Sequence, residues 1–175
     1  TIEDAPYIPA RAFKEYELKS ISEEEKFKTM RSSGTSGQNR SKIILNKETA
    51  SKQSKILAEI SSDVIGSKRL PMLIIDAEST IKNRNNFSAR AAGVLGFSMF
   101  GSKKMFALDD ELNIKLEEVI AFIEANSSKP LLIFGFTFII WKYFVKELIA
   151  RSIKLNVNNA ILIHGGGWKK IQNEA

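Results

Sequence analysis

Residues Ser32-Ser-Gly-Thr-Ser-Gly37 are the part of this chain best equipped for chemistry. Two glycines three apart let the backbone bend tightly and aim successive N–H groups at one point. Ser32, Ser33, Thr35 and Ser36 add hydroxyl donors, and Arg31, Arg40 and Lys42 add positive charge. Such a nest suits the oxygens of a phosphate. The stretch is not a Walker A loop, because no Gly-Lys-Ser/Thr follows at the required spacing, and GxGxxG is absent from the chain. On composition alone the same residues also fit a plain Ser/Gly connector. A second group is His164-Gly-Gly-Gly-Trp168, at the end of an expected strand, where α/β proteins place ligands. Bare glycine backbone at Gly165, Gly166 and Gly167 lets a flat ligand lie close, with Trp168 closing one side. The same run also reads as a tight turn with Trp168 in the core. His164 either lines that pocket or satisfies a local backbone group. Arg90 has two readings: a contact to phosphate or carboxylate, or an ion pair with an acid such as Asp109 or Glu111. Asp76, ending a strand, either caps the next element or assists a metal.

The elements that must position these groups follow from periodicity. Residues 1–20, held by Pro6 and Pro9, read as an extended lead-in, and Ser22 with Glu25 forms a capping-box pattern that predicts a helix over 23–28. Strands are expected at 42–46, 72–75, 104–108, 131–134 and 160–163. Helices are expected at 47–64, at 88–100, from Leu112 to near Asn126, at 137–152, and from the triple glycine onward. Strands alternating with helices require crossovers, so the fold class is α/β: a mostly parallel sheet with helices on both faces. The helix from 137 carries Phe138, Ile139, Ile140, Trp141, Tyr143, Phe144, Val145, Leu148 and Ile149. It is either a buried layer or the wall of an acyl pocket or domain face.

Composition narrows the function. With 175 residues, 43% of them hydrophobic and 26% charged, the chain suits a single soluble domain with a sizeable core. It has no cysteine and one histidine, so disulfides, thiolate zinc sites, a cysteine nucleophile and a histidine-rich metal centre are all excluded from these residues. The lack of cysteine suits a reducing, cytoplasmic setting. A net charge of +6 is mild for a nucleic-acid binder, and no basic stripe with interleaved aromatics is present, so no nucleic-acid partner is expected. The basic excess over residues 31–60 suits a small polyanion instead. The longest apolar run, Pro130 to Trp141, is too short for a membrane span. The charged, proline-broken start is not a signal peptide, and the sequence reads as a piece of a longer one.

The loop Ser32–Gly37 resembles the Ser/Thr/Gly-rich phosphate loop of the adenylate-forming enzymes, which include acyl-CoA synthetases, phenylacetate–CoA ligases and luciferases. Four further stretches are similar to the acyl-protein synthetases of the LuxE type, the fatty-acid-activating ligases of bacterial bioluminescence: Ile8-Pro-Ala-Arg-Ala-Phe-Lys14, Pro71-Met-Leu-Ile-Ile-Asp76, Phe87-Ser-Ala-Arg90 and Leu162-Ile-His-Gly-Gly-Gly-Trp-Lys169. Together they run over nearly the whole chain.

The resemblance implies residues 1–175 as the N-terminal part of the large domain of an adenylate-forming acyl ligase. It implies ATP and Mg²⁺ as cofactors and a fatty acid as substrate. The acyl group would pass from an acyl-adenylate to a thiol of an acceptor protein or acyl reductase subunit. Ser32 to Gly37 would grip the β- and γ-phosphates, Thr35 foremost; the triple glycine would lie beside adenine and acyl group. Many members continue the loop with Pro-Lys, where this chain has Gln38-Asn-Arg-Ser-Lys42, so Arg40 and Lys42 are both candidates for the basic role. The family's Tyr-Gly-x-x-Glu segment, its ribose-binding Asp and its mobile Lys have no counterpart here, nor has an acyl-accepting cysteine. These 175 residues alone are therefore expected to show no turnover. A phenylacetate-type CoA ligase, a noncatalytic module of a fatty-acid reductase complex and a flavodoxin-like nucleotide sensor are the alternatives.

Overall fold

A computed structural model describes residues 6–31, 40–82 and 88–168. At its centre lies β3 (Leu70–Ala77), whose residues from Pro71 onward are all buried. The unbroken run Met72-Leu-Ile-Ile75 has no polar face to offer water, so it is stable only where both sides of a sheet are covered. Around it assemble β4 (Gly101–Leu108), β5 (Leu131–Phe136) and β6 (Ala160–Gly165) in the spatial order β4-β3-β5-β6, every pair parallel.

Alternation along β3 divides the core. Leu73 and Ile75 face one layer, built on α5 (Leu116–Ala125) and the helical segment that follows β5. Met72 and Ile74 face the other, built on α2 (Lys47–Ile65) and α4 (Ala89–Phe97). Helices therefore cover both faces, as expected for the α/β class. After β4 the chain crosses back over β3 to form β5, so the switch point of the sheet lies between β3 and β5.

Caps set several of the boundaries. Asn46 accepts a hydrogen bond from the Thr49 amide at 2.8 Å to start α2, which ends at Gly66. Ser88 accepts from the Ala91 amide at 3.1 Å to start α4. A 3₁₀ turn, Ser98–Phe100, leads from α4 into β4. Gly93 permits a close approach: a Cβ there would come within 2.8 Å of the Phe136 ring.

Five expectations are corrected. The lead-in is not wholly extended: α1 (Ala12–Glu15) makes one turn, with Arg11 Nε donating to Glu15 at 2.6 Å. The Ser22–Glu25 capping box forms both of its bonds, at 2.9 and 3.4 Å, yet no helix follows it. The chain is needed at once for β1 (Lys28–Arg31), which pairs antiparallel with β2 (Lys42–Leu45). The Ser/Gly loop thus joins two strands of a hairpin rather than a helix and a strand.

Leu112 does not open α5. It has φ +67°, and the Asp109 carboxylate accepts from the amides of Glu111 and Asn113 and from Asn113 Nδ2. The Asn113 side chain, ahead of the backbone donors and Lys115, holds the Asp109 carboxyl below its ordinary range. The expected helix 137–152 is not regular: α6 (Thr137–Ile139) runs into a π-helical stretch, Ile140–Val145, and then α7 (Lys146–Ala150). Its Ile139 and Phe144 sink into the core while Ile149 stays exposed, so one face of it packs on the sheet. The helix expected after the triple glycine lies outside the described residues. Among the described residues no helix is long and apolar enough to cross a membrane.

Candidate functional site

Three strands bring polar groups to one level of the sheet's carboxyl edge. Ile75 is in register with Gly135, and Gly135 with His164, so Asp76, Phe136 and Gly165 come next in one row. Two strand spacings separate Asp76 from Gly165, roughly 10 Å.

Asp76 is fully buried, and every bond it makes is local to this edge. It accepts from the Ala77 amide and from Thr80 Oγ1, each at 2.7 Å, and receives a two-pronged grip from Arg90, with Nε donating to Oδ2 at 2.7 Å and Nη2 to Oδ1. Such a fork-to-fork pair fixes angle as well as distance. Arg90 thus meets neither Asp109 nor Glu111. It ties the first turn of α4 to the end of the central strand and keeps part of its guanidinium toward solvent. Thr80 belongs to the short α3 (Ser79–Lys82), which Asp76 also anchors.

The anchored turn supports the hairpin. Arg31, the last residue of β1, bridges Ser88, the N-cap of α4, and pairs across the hairpin with Lys42. Ser32, Ser33, Gly34, Thr35, Ser36 and Gly37 lie outside the described residues; the strand that enters them and the strand that leaves them do not. Both belong to a stem seated where β3 gives way to α4, on the carboxyl side of the sheet. Of the two basic candidates beyond the loop, Lys42 sits 3.6 Å from Glu17 in an ion pair, whereas Arg40 is exposed just ahead of β2.

At the far side of the row, Thr137 organises the glycine turn. Its Oγ1 lies 2.9 Å from His164 Nδ1, 3.0 Å from the Gly165 carbonyl and 2.9 Å from the Gly166 carbonyl. A hydroxyl carries one proton, and carbonyls only accept. The proton therefore goes to the carbonyls and His164 Nδ1–H donates to Thr137, because the opposite assignment would set hydroxyl lone pairs against two carbonyl oxygens. In the neutral ring Nε2 is then an acceptor. Gly166 has φ +85°, a conformation costly for other residues, and a Cβ at Gly167 would meet nothing within 4 Å. Beside this open backbone Thr137, Ile140, Trp141, Leu162, His164 and Trp168 enclose about 180 Å³. Trp168 is half exposed and meets Trp141 edge-on at 5.8 Å, and Trp141 Nε1 is buried without a hydrogen-bond partner among the described residues. The core reading of Trp168 is thereby set aside.

Thr137→Val should release this arrangement. His164 is the only histidine of the 175 residues, so its ring nitrogens can be read in isolation by ¹⁵N NMR. The expected spectrum is an Nδ1–H tautomer in the parent and a shift toward Nε2–H in the variant.

The structure brings His164 and Trp168 onto one pocket, with Gly165, Gly166 and Gly167 in the turn between them, and places Lys42 in the hairpin stem and Arg90 in the first turn of α4. Thr137 and Phe136 were missed, since one only opens a greasy helix and the other falls between that helix and the preceding strand; Trp141 was named only within that helix, as core or as a pocket wall. Only the placing of a threonine directly after a strand hints at the role of Thr137.

Metal chemistry finds no cage here. Among the described residues no three His, Asp or Glu side chains gather, and Asp76 is already saturated.

The fold is an α/β domain with a four-stranded parallel sheet flanked by helices, and the hairpin stem, a glycine turn and an aromatic pocket lie toward its carboxyl edge. The family model described as "Acyl-protein synthetase, LuxE" matches residues 1–175, and the chain belongs to that family. Neither a curated protein nor a solved structure matches it.

Proposed function

We propose that the intact protein activates a long-chain fatty acid with ATP and passes the acyl group to a thiol of an acceptor protein. In the first step a carboxylate oxygen bonds to the α-phosphorus as the bond to the β-phosphate oxygen breaks, giving acyl-adenylate and pyrophosphate. In the second a thiol sulfur bonds to the acyl carbon, AMP leaves, and the thiol proton passes to solvent or a base. Two anions must approach each other in the first step, so the dominant need is preorganised positive charge. Residues Ser32–Gly37 meet that need at the β- and γ-phosphates, with Thr35 as direct hydroxyl contact and Arg40, rather than the ion-paired Lys42, as the nearby cation. Mg²⁺ enters with the polyphosphate, held by it rather than by side chains of this chain.

The observation that carries the reading is the seating of the hairpin stem, with Arg31 against Ser88, on the same edge as the glycine turn. Gly166, Gly167 and the two tryptophans offer a flat ring an open backbone and an aromatic wall, and Trp141 Nε1 offers an unused donor. Fatty-acid-dependent exchange of labelled pyrophosphate into ATP by the intact protein tests the proposal. Exchange that requires the acid is the expected result; exchange absent with every carboxylate tried would reject it.

A further inference from the structure

The sheet layer opposite the aromatic pocket contains an unfilled groove of about 670 Å³, within the size range of small-molecule sites. Three elements frame it. α2 and α4 run side by side from the carboxyl edge toward the amino edge, since each is followed by a strand that begins there, at Leu70 and Gly101, which are in register. The hairpin spans their starting ends: Arg31 reaches Ser88 ahead of α4, and β2 leads directly into α2. The groove therefore begins beside the stem of the Ser/Gly loop and runs away from it.

Its walls are mostly apolar. Ala50 and Leu57 line one side and Ala92, Gly96 and Met99 the other, with Ser51, Gln53 and Ser54 as the uncharged polar members. The Ser54 hydroxyl donates to the Ala50 carbonyl at 3.1 Å. The lining includes Lys28 and Lys47, both on the hairpin side, and no acid. An apolar trough with two cationic residues at its hairpin end, by the base of the stem, and no acid complements an anionic head on a hydrocarbon tail. From Ala89 to Met99 α4 advances about 15 Å, the reach of a saturated chain of roughly a dozen carbons.

Gly96 singles out the trough as a place kept open. Gly96 is the next-to-last residue of α4, where glycine costs less than the ~1 kcal/mol it costs in a helix interior. Here a Cβ would meet only Leu57 Cδ2, at 3.5 Å, which is ordinary contact, and the backbone is not left-handed. Neither packing nor conformation asks for glycine, whereas a bare backbone keeps the groove wide at the level of Leu57.

We propose that this groove holds the hydrocarbon tail of the long-chain carboxylate, head toward the hairpin, and that Gly96 and Met99 set the longest tail admitted. The proposal rests on the activation chemistry above and adds to it the place of the tail and the residues that select it.

The test is pyrophosphate exchange by the intact protein with octanoate and with tetradecanoate, in the parent, Gly96→Ala, Gly96→Phe and Met99→Trp. Filling the far end should lower exchange with tetradecanoate relative to octanoate roughly tenfold, the loss of about two methylenes from an apolar wall. The half-saturating ATP concentration should stay unchanged, and Gly96→Ala should move the ratio in the same direction by less than Gly96→Phe. Met99 is partly exposed, so Met99→Trp decides the matter if Gly96→Phe does not fold. A ratio unmoved in active variants, as expected if a polypeptide segment fills the groove, overturns this assignment and leaves the activation reading standing. An equal loss on both acids also overturns it, because a groove blocked at its far end must spare the shorter tail. No exchange in the parent with either acid removes the activation reading itself, and this inference with it.

Discussion

Thr35→Ala in the intact protein is expected to lower fatty-acid-dependent pyrophosphate exchange by about 10²–10³-fold, the usual loss when one preorganised donor to developing charge is removed. The fall should appear mainly in the maximal rate, because charge builds on the leaving pyrophosphate as the reaction proceeds. Gly37→Val, which adds bulk where the backbone must come close to the polyphosphate, should instead weaken ATP binding as well. Folding should be untouched by either, since the stem that carries the loop is secured elsewhere: by the four pairs of the hairpin from Lys28–Leu45 to Arg31–Lys42, and by the bridge to Ser88. Exchange kinetics beside equilibrium ATP titration separate the two effects. Unchanged exchange in Thr35→Ala would remove the loop from the chemistry.

Arg90→Met is the second large effect, and it concerns stability. The change leaves the Asp76 carboxylate fully buried with only Thr80 Oγ1 and the Ala77 amide to answer it. Breaking a buried pair by removing one partner costs about 3–5 kcal/mol, and the partial exposure of Arg90 places this case toward the low end. Urea denaturation of parent, Arg90→Met, Asp76→Ala and the double variant gives the coupling between the two residues. The double variant should be less destabilised than the sum of the singles. Because Arg90 also ties down the turn on which Arg31 leans, surviving activity in Arg90→Met should show a raised half-saturating ATP concentration. Strict additivity would mean that the two side chains act independently.

The sheet was readable in the sequence where burial leaves a mark that needs no partner to be seen. Met72 to Ile75 and Leu131 to Phe134 are apolar runs closed by polar or breaking residues, and both proved to be inner strands. The spacing of Ile56, Leu57, Ile60 and Val64 was enough for α2, although Ile60 and Val64 stay exposed. β1 was not readable, because Lys28-Thr-Met-Arg31 has no alternation of its own and becomes a strand only through pairing with β2. For the same reason the capping box at Ser22 promised a helix that the hairpin then displaced. The π-helical stretch escaped because an apolar sequence on nearly every side carries no phase to show where the helix widens.

The candidate site divides along the same line. Glycine and hydroxyl clusters are visible as composition, and the triple-glycine turn emerged at the strand end where it was expected. Partners distant in sequence were not visible: Arg90 finds Asp76 fourteen residues away, and Thr137 finds His164 twenty-seven away, through a sheet register that no local pattern encodes.

The central claim is that the loop after Arg31 embraces the polyphosphate of a nucleotide whose base lies at the glycine turn. A crystal structure of the intact protein with a non-hydrolysable ATP analogue tests it most directly. The account predicts β- and γ-phosphate oxygens within hydrogen-bonding distance of the Ser32–Gly37 amides and hydroxyls, and the adenine against Gly165–Gly167. A triphosphate bound away from that loop, with the hairpin stem still seated on Ser88, would contradict it.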